Sequence, residues 1–250
     1  MHMKRILLLL AGLILLGSSI ADAQIWRLRR YEAIAGIGTA NFYGDIGGFT
    51  PGKNLLGIKD YRFLQTRPNF YLGVRYKVVQ DFAVRLNLFY AYLHGNDDRG
   101  SNPTRGYEFG TNIFESSVQA EYSFIKEKMS NNYLMMKGRG VTDFASHISM
   151  YCFAGLGSAV FNPKPSPPVI ARAGTEYSKV ALVLPIGIGL KVGLSPENSI
   201  ALELGGRITT SDFIDGFTSD YSKFTDMYHY GVINFIYKVK TNRKGWPTFK

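Results

Sequence analysis

The sequence predicts an all-β protein, a small antiparallel up-and-down transmembrane β-barrel of about eight strands. Three observations carry this expectation: an N-terminal export signal, long segments that alternate with period two, and connections that alternate between long and short. The 250 residues are 46% hydrophobic and only 19% charged, with 17 Phe and 16 Tyr, so the chain has enough apolar side chains to fold. One Cys excludes an intramolecular disulfide framework and any zinc cluster built on several thiolates. With 29 Lys and Arg against 19 Asp and Glu, the protein is basic.

Lys4 and Arg5 precede an apolar stretch from Ile6 to Leu16, followed by Gly17, Ser18, Ser19 and the small-x-small pattern Ala21-Asp22-Ala23. Residues 1–23 therefore read as a secretory signal peptide, with the mature chain starting at Gln24. The alternative, a short membrane anchor, fits poorly because the apolar core is about half a spanning helix. Beyond it no apolar run approaches the roughly 18 residues of a membrane helix, so any crossing must be made by strands.

From Val180 to Leu194 every second residue is Val, Leu or Ile, opposed by Lys179, Ala181, Val183, Pro185, Gly187, Gly189, Lys191 and Gly193. Such a run places one set on each face of a strand. Ser195-Pro-Glu-Asn198 then forms a tight turn into Ile200, Leu202, Leu204 and Ile208, opposed by Ser199, Glu203, Gly205 and Arg207. A second hairpin runs from Phe70 to Val78 and, after Gln80-Asp81, from Phe82 to Tyr92. Further strands are expected from Ile113 to Phe124, from Ile148 to Phe161, and, more weakly marked, from Tyr31 to Gly38 and from Tyr228 to Lys240. The continuous aliphatic face and the strand lengths favour a barrel in lipid over a soluble sandwich, whose strands average about 5 to 6 residues. Tyr76, Tyr90, Tyr92 and Tyr237 sit toward strand ends, where an interfacial girdle belongs. Arg at the outward Ile186 or Leu202 should then be costly, and Gly187→Ala or Ser199→Ala should matter much less.

The barrel domain spans 24–240, and 241–250 form a basic tail. Connections 39–67, 95–111, 162–177 and 210–226 are long, whereas 79–81 and 195–198 are short. Outer-membrane barrels carry long loops outside and short turns in the periplasm, so an even strand count puts both termini in the periplasm. The exception is 125–146, a periplasmic excursion too long for a turn. Its Tyr133, Met135 and Met136, with Arg139 nearby and Arg243 and Lys244 in the tail, form a candidate partner-binding surface, with apolar anchors and steering charges. A solvated loop and a lipid-facing basic rim are the plainer readings of the same residues.

Two loop motifs, Asn41-Phe-Tyr-Gly-Asp-Ile-Gly47 after the first strand and Thr210-Ser-Asp-Phe-Ile-Asp-Gly216 after the seventh, resemble those of the PorG-like family of outer-membrane barrels. The resemblance spans most of the mature chain. It implies a role in the type IX secretion system beside the periplasmic ring of the PorK lipoprotein and PorN, supporting secretion of proteins with a C-terminal sorting domain. It brings no catalytic residues, no cofactor, no metal and no nucleic-acid partner.

The rival classes are a barrel enzyme that hydrolyses lipid or peptide, a passive surface barrel and a pore. His94 near Asp97 and Asp98, and His229 near Asp226, are conceivable hydrolytic clusters, but no nucleophile is marked and no GxSxG elbow is present. The Asp212–Asp220 stretch could offer oxygens to a divalent cation, yet its spacing fits no calcium loop. About eight strands leave an interior filled by side chains, which excludes a wide channel. Arg75, Lys77, Arg85, Glu115, Glu121, Lys179, Lys191, Glu203, Arg207 and Lys238 are expected to point inward and pair.

Overall fold

A computed structural model describes residues 22–48, 65–98, 102–127, 147–173, 178–218, 225–242 and 246–248. Eight antiparallel strands form one closed barrel: β1 Tyr31–Tyr43, β2 Arg67–Lys77, β3 Phe82–Asn96, β4 Glu108–Ile125, β5 Ile148–Pro165, β6 Val180–Gly193, β7 Asn198–Thr209 and β8 Met227–Val239. Each strand pairs with the next, and β8 returns to β1 in register from Tyr31↔Val239 to Tyr43↔Met227. A 3-10 helix, Asp22–Arg29, leads into β1, and a short helix α1, Pro167–Ala173, lies between β5 and β6.

The alternation sorts side chains as the sequence predicts, with the aliphatic set outside. On β6, Val180, Leu182, Leu184, Ile186, Ile188 and Leu190 are exposed, while Ala181, Val183 and Lys191 are buried. Phe70, Leu72 and Val74 on β2 and Ile233, Phe235 and Tyr237 on β8 face outward in the same way. Meanwhile Arg75, Arg85 and Arg207 are among the most deeply buried side chains. An apolar belt around a charged interior is stable only where the belt meets hydrocarbon, so this barrel spans a membrane. Among the described residues no helix is long and apolar enough to cross one.

Two expectations need correction. The strands reach further than the alternation suggests on the rim away from the termini, where β4 starts at Glu108, β5 ends at Pro165 and Phe109 pairs with Pro165. Phe109, Thr111 and Phe161 are buried there because the loops pack against them from inside. The second correction concerns Gly187, where alanine matters more than the alternation suggests. A Cβ there would fall far inside contact distance of the Leu204 carbonyl oxygen and the Phe153 ring, and one at Gly189 would strike the Tyr151 ring. Inward glycines thus make room for aromatic rings from β5. Overpacking of this kind costs about 1–3 kcal/mol. Gly187→Ala is therefore expected to lower the urea midpoint of the refolded barrel, with Ser158→Ala on the partly exposed wall of β5 as the near-neutral reference.

Candidate functional site

The lumen is filled by ion pairs that reach across the barrel. Arg75 on β2 meets Glu32 on β1 and Glu121 on β4, each at 2.7 Å. Arg85 on β3 meets Glu203 on β7 at 2.5 Å and Glu121 at 2.7 Å, and also donates to Gln119 at 2.7 Å. Nearer the loop rim Arg207 pairs with Glu115 at 2.8 Å, and the same carboxylate accepts the Tyr228 hydroxyl at 2.8 Å. The Arg207 guanidinium lies over the Tyr230 ring, 4.3 Å from its centroid. These bulky, oppositely charged side chains occupy the interior that eight strands enclose. Of the predicted inward set only Lys179 fails, being exposed just ahead of β6. Glu32 and Glu127 belong to the network without having been expected in it.

At the loop rim three connections interlock into a cap. The amide of Ile46 donates to Asp215 at 3.1 Å, that of Gly47 to Asp97 at 2.8 Å and that of Ile214 to Asp226 at 2.8 Å. Arg105 clamps Asp97 at 2.7 Å, donates to the Asp45 carbonyl at 2.7 Å and lies over the rings of Tyr107 and Phe217. Ile46, Ile214 and Phe217 are fully buried beneath it. Gly47 and Gly216 have φ of 82° and 77°, a left-handed backbone that favours glycine over other residues. The two motif segments thus meet at this rim through Ile46 and Asp215.

Burial pushes the Asp215 and Asp226 carboxyls well above the usual range, and the neighbouring carboxylates, chiefly Asp45 for the first and Asp215 for the second, push in the same direction. A carboxyl raised in the folded state contributes stability that is fully present below its unfolded value, near 4, and is lost as pH rises through the folded value. The cap is therefore expected to be tightest in acid. Amide hydrogen exchange at Ile214 and Phe217, corrected for intrinsic rates, should lose protection as pH rises from about 4, with a flatter dependence in Asp226→Asn. Protection that rises over that range would refute the assignment.

At the opposite rim the two ends of the chain meet. The Thr241 amide donates to the Leu28 carbonyl at 2.8 Å and its hydroxyl to the Arg27 carbonyl at 2.8 Å. Glu197, in the turn between β6 and β7, pairs with Lys240 at 2.8 Å and lies 3.8 Å from Arg29. Just past the end of β4, Glu127 folds into this mouth, where it pairs with Lys238 and, at 3.1 Å, with Lys191. Burial alone would raise its carboxyl, but Lys191, Lys238 and Lys77 hold it at about 2. His147, at the far end of the excursion, is buried as well. Both roots of the 128–146 segment are thus fixed at the mouth.

The sequence pattern of a domain of unknown function, DUF6089, matches residues 4–238. The chain belongs to that family. No curated protein matches it. Its fold is similar to that of Neisserial surface protein A, with TM-score 0.45 and 9% identity over 83% of this chain and 96% of that one. It is also similar to the outer membrane protein OprG from Pseudomonas aeruginosa, with TM-score 0.43 and 10% identity over 85% and 98% of the two chains. The outer membrane enzyme PagL aligns with TM-score 0.35 and 11% identity over 83% and 99%.

In this DUF6089 barrel three of the conceivable hydrolytic groups, Asp97, His94 and Asp226, have partners in the loops and wall. Asp97 serves Arg105 and the amides of Gly47 and Tyr107, while His94 Nδ1 lies 2.9 Å from the Phe109 carbonyl oxygen. Asp226 accepts from Ile214. Among the described residues no group of three or more His, Cys, Asp and Glu is arranged to hold a metal ion. The expected partner-binding residues Tyr133, Met135, Met136, Arg139, Arg243 and Lys244 lie outside the described residues. Glu127, which roots the first four, escaped the sequence reading because it follows the alternating run and looks like loop.

Proposed function

We propose that the chain is an outer-membrane component of the type IX protein secretion system, of the PorG type, which anchors or docks the periplasmic PorK/PorN ring and is required for secretion of cargo with C-terminal sorting domains. In this reading both termini face the periplasm, the barrel performs no catalysis and needs no cofactor. The observation that carries it is the rooting of the 128–146 segment by Glu127 and its lysines at the rim where both termini meet. A barrel whose lumen is filled with side chains passes no folded cargo, so its work is done on a surface. A long segment with fixed roots is suited to hold a partner, because less ordering entropy is lost on binding.

Deleting Asn131 to Arg139 is the direct test, since the cut removes none of the eight described strands. The barrel is expected to assemble with unchanged heat-modifiable gel mobility, while co-purification of the ring proteins and secretion of sorting-domain cargo are lost. Reversing the charges of Arg243 and Lys244 should weaken the association more at low salt than at high salt, because exposed charges are screened over about 10 Å at 0.1 M. Secretion lost only when the 44–66 or 210–226 connections are cut would move the working surface to the cell exterior.

A further inference from the structure

The outward face of β1 carries small residues where its neighbours carry large ones. Ala33, Ala35 and Ile37 pair with Val74, Leu72 and Phe70 of β2 on one side, and with Tyr237, Phe235 and Ile233 of β8 on the other. All these side chains are on the outward face. The consequence is an apolar groove of about 490 Å³ on the outer wall, floored by Ala35 and walled by Phe70, Leu72, Ile233 and Phe235, with Ile200 at its edge. The belt around it meets hydrocarbon, so the groove is filled from the bilayer.

Its width selects the occupant. Two strand spacings separate the backbones of β2 and β8, about 9.5 Å, before the walls close in. A helix of about 10–12 Å diameter does not enter such a slot, whereas a polymethylene chain does. The end of the groove toward the termini selects the headgroup. There the wall passes into Tyr31 and Tyr76, whose ring centroids are 5.0 Å apart, and then into two arginines. Arg30 donates to the Tyr76 hydroxyl at 3.1 Å and lies over the Trp26 ring at 4.9 Å, while Arg27 is exposed beside the same ring at 5.8 Å. Among the described residues the rim carboxylates Asp81, Glu127 and Glu197 pair with Lys126, with Lys191 and Lys238, and with Arg29 and Lys240, not with Arg27 or Arg30. The tail after β8 folds back through Thr241↔Pro247 and presents Trp246, 68% exposed, at the same rim. Aromatic rings with cations above a hydrocarbon slot match the headgroup level of a lipid.

We propose that this groove binds one anionic glycerophospholipid, an acyl chain lying along β1 and its phosphate meeting Arg27 and Arg30. The identity of the lipid rests on the orientation proposed above, which puts this rim in the periplasmic leaflet, where glycerophospholipid is the available source. A lipid held there tethers the barrel in one rotational setting relative to the lipids around it.

Native mass spectrometry of the full chain, titrated with phosphatidylglycerol and with phosphatidylcholine of the same chains, tests the site. One phosphatidylglycerol is expected to bind, and Ala35→Phe, which fills the floor, to weaken it by roughly tenfold, as losing about two buried methylenes would. Val118→Phe, on the outward face of β4, adds bulk away from the groove and should leave binding unchanged. Gln at both Arg27 and Arg30 should erase the preference for phosphatidylglycerol, roughly fivefold per cation, while barrel mobility on gels is kept. Ala35→Leu provides a milder filling should Ala35→Phe impair assembly. Equal binding by wild type and the filled variants, or equal binding of the two lipids, overturns the proposal. Orientation is read separately, by labelling Trp246→Cys in a Cys152→Ser background on whole cells. Labelling before the outer membrane is permeabilised overturns the orientation, and with it the periplasmic-leaflet lipid, whatever the binding data.

Discussion

Arg85→Ala is expected to destabilise the barrel by about 3–5 kcal/mol, the usual cost of removing one partner from a buried ion pair. Arg85 is fully buried and holds Glu203 from across the lumen and Glu121 from the adjacent strand. Its loss strands Glu203, whose next cation is Arg75 Nη2 at 3.9 Å, and leaves Glu121 with Arg75 alone, at 2.7 Å. Urea titration of the refolded protein in detergent measures the loss. Adding Glu203→Gln should recover part of it, because that change removes the stranded charge. A loss below about 1 kcal/mol would mean that water solvates the carboxylates and that the lumen is wet.

Ile186→Arg should cost about 2–4 kcal/mol for a position near the midplane of the membrane. Ile186 sits midway along β6, paired with Ala154 and Gly206, and its side chain faces outward. Leu202→Arg on β7 should behave alike, and Val180→Arg, at the first residue of β6, should cost less because depth sets the penalty. The fraction of heat-modifiable protein in purified outer membranes ranks the three. Equal tolerance at all three positions would contradict a hydrocarbon belt at this height.

The strands were legible because a barrel in lipid repeats one rule, apolar outside and polar or small inside, for a dozen residues at a time. β6 shows the rule most plainly, and its faces are as the alternation predicts. β1 obscures it, since Ala33 and Ala35 face lipid while Ile34 is buried, so that Glu32 does not stand out as a lumen residue. The cap has no signature in the sequence, because Asp45, Asp97 and the pair Asp215 and Asp226 come from three loops far apart in sequence and share no local period. Their contacts exist only after the barrel has brought the loop ends together. Gly187 was misjudged for a similar reason: the Phe153 ring that needs its space belongs to the preceding strand. The candidate partner-binding side chains were legible only as composition, an apolar cluster among cations, which defines no geometry.

The union of β1 with β8 makes this chain a ring whose covalent gap lies between two segments already touching. Leu28 and Thr241 are hydrogen-bonded across that gap, and Glu197 holds charges from both sides of it. A short peptide joining the tail to the residues before Arg27 could close the circle, and the chain could then be reopened in the four-residue connection 194–197 without removing any strand. Such a permuted protein would begin at β7 and end at β6. It would present the same wall to the membrane, while strand synthesis would start where the natural order nearly finishes. Comparing the assembly rates of the two orders would separate the contribution of sequence order from that of the finished circle.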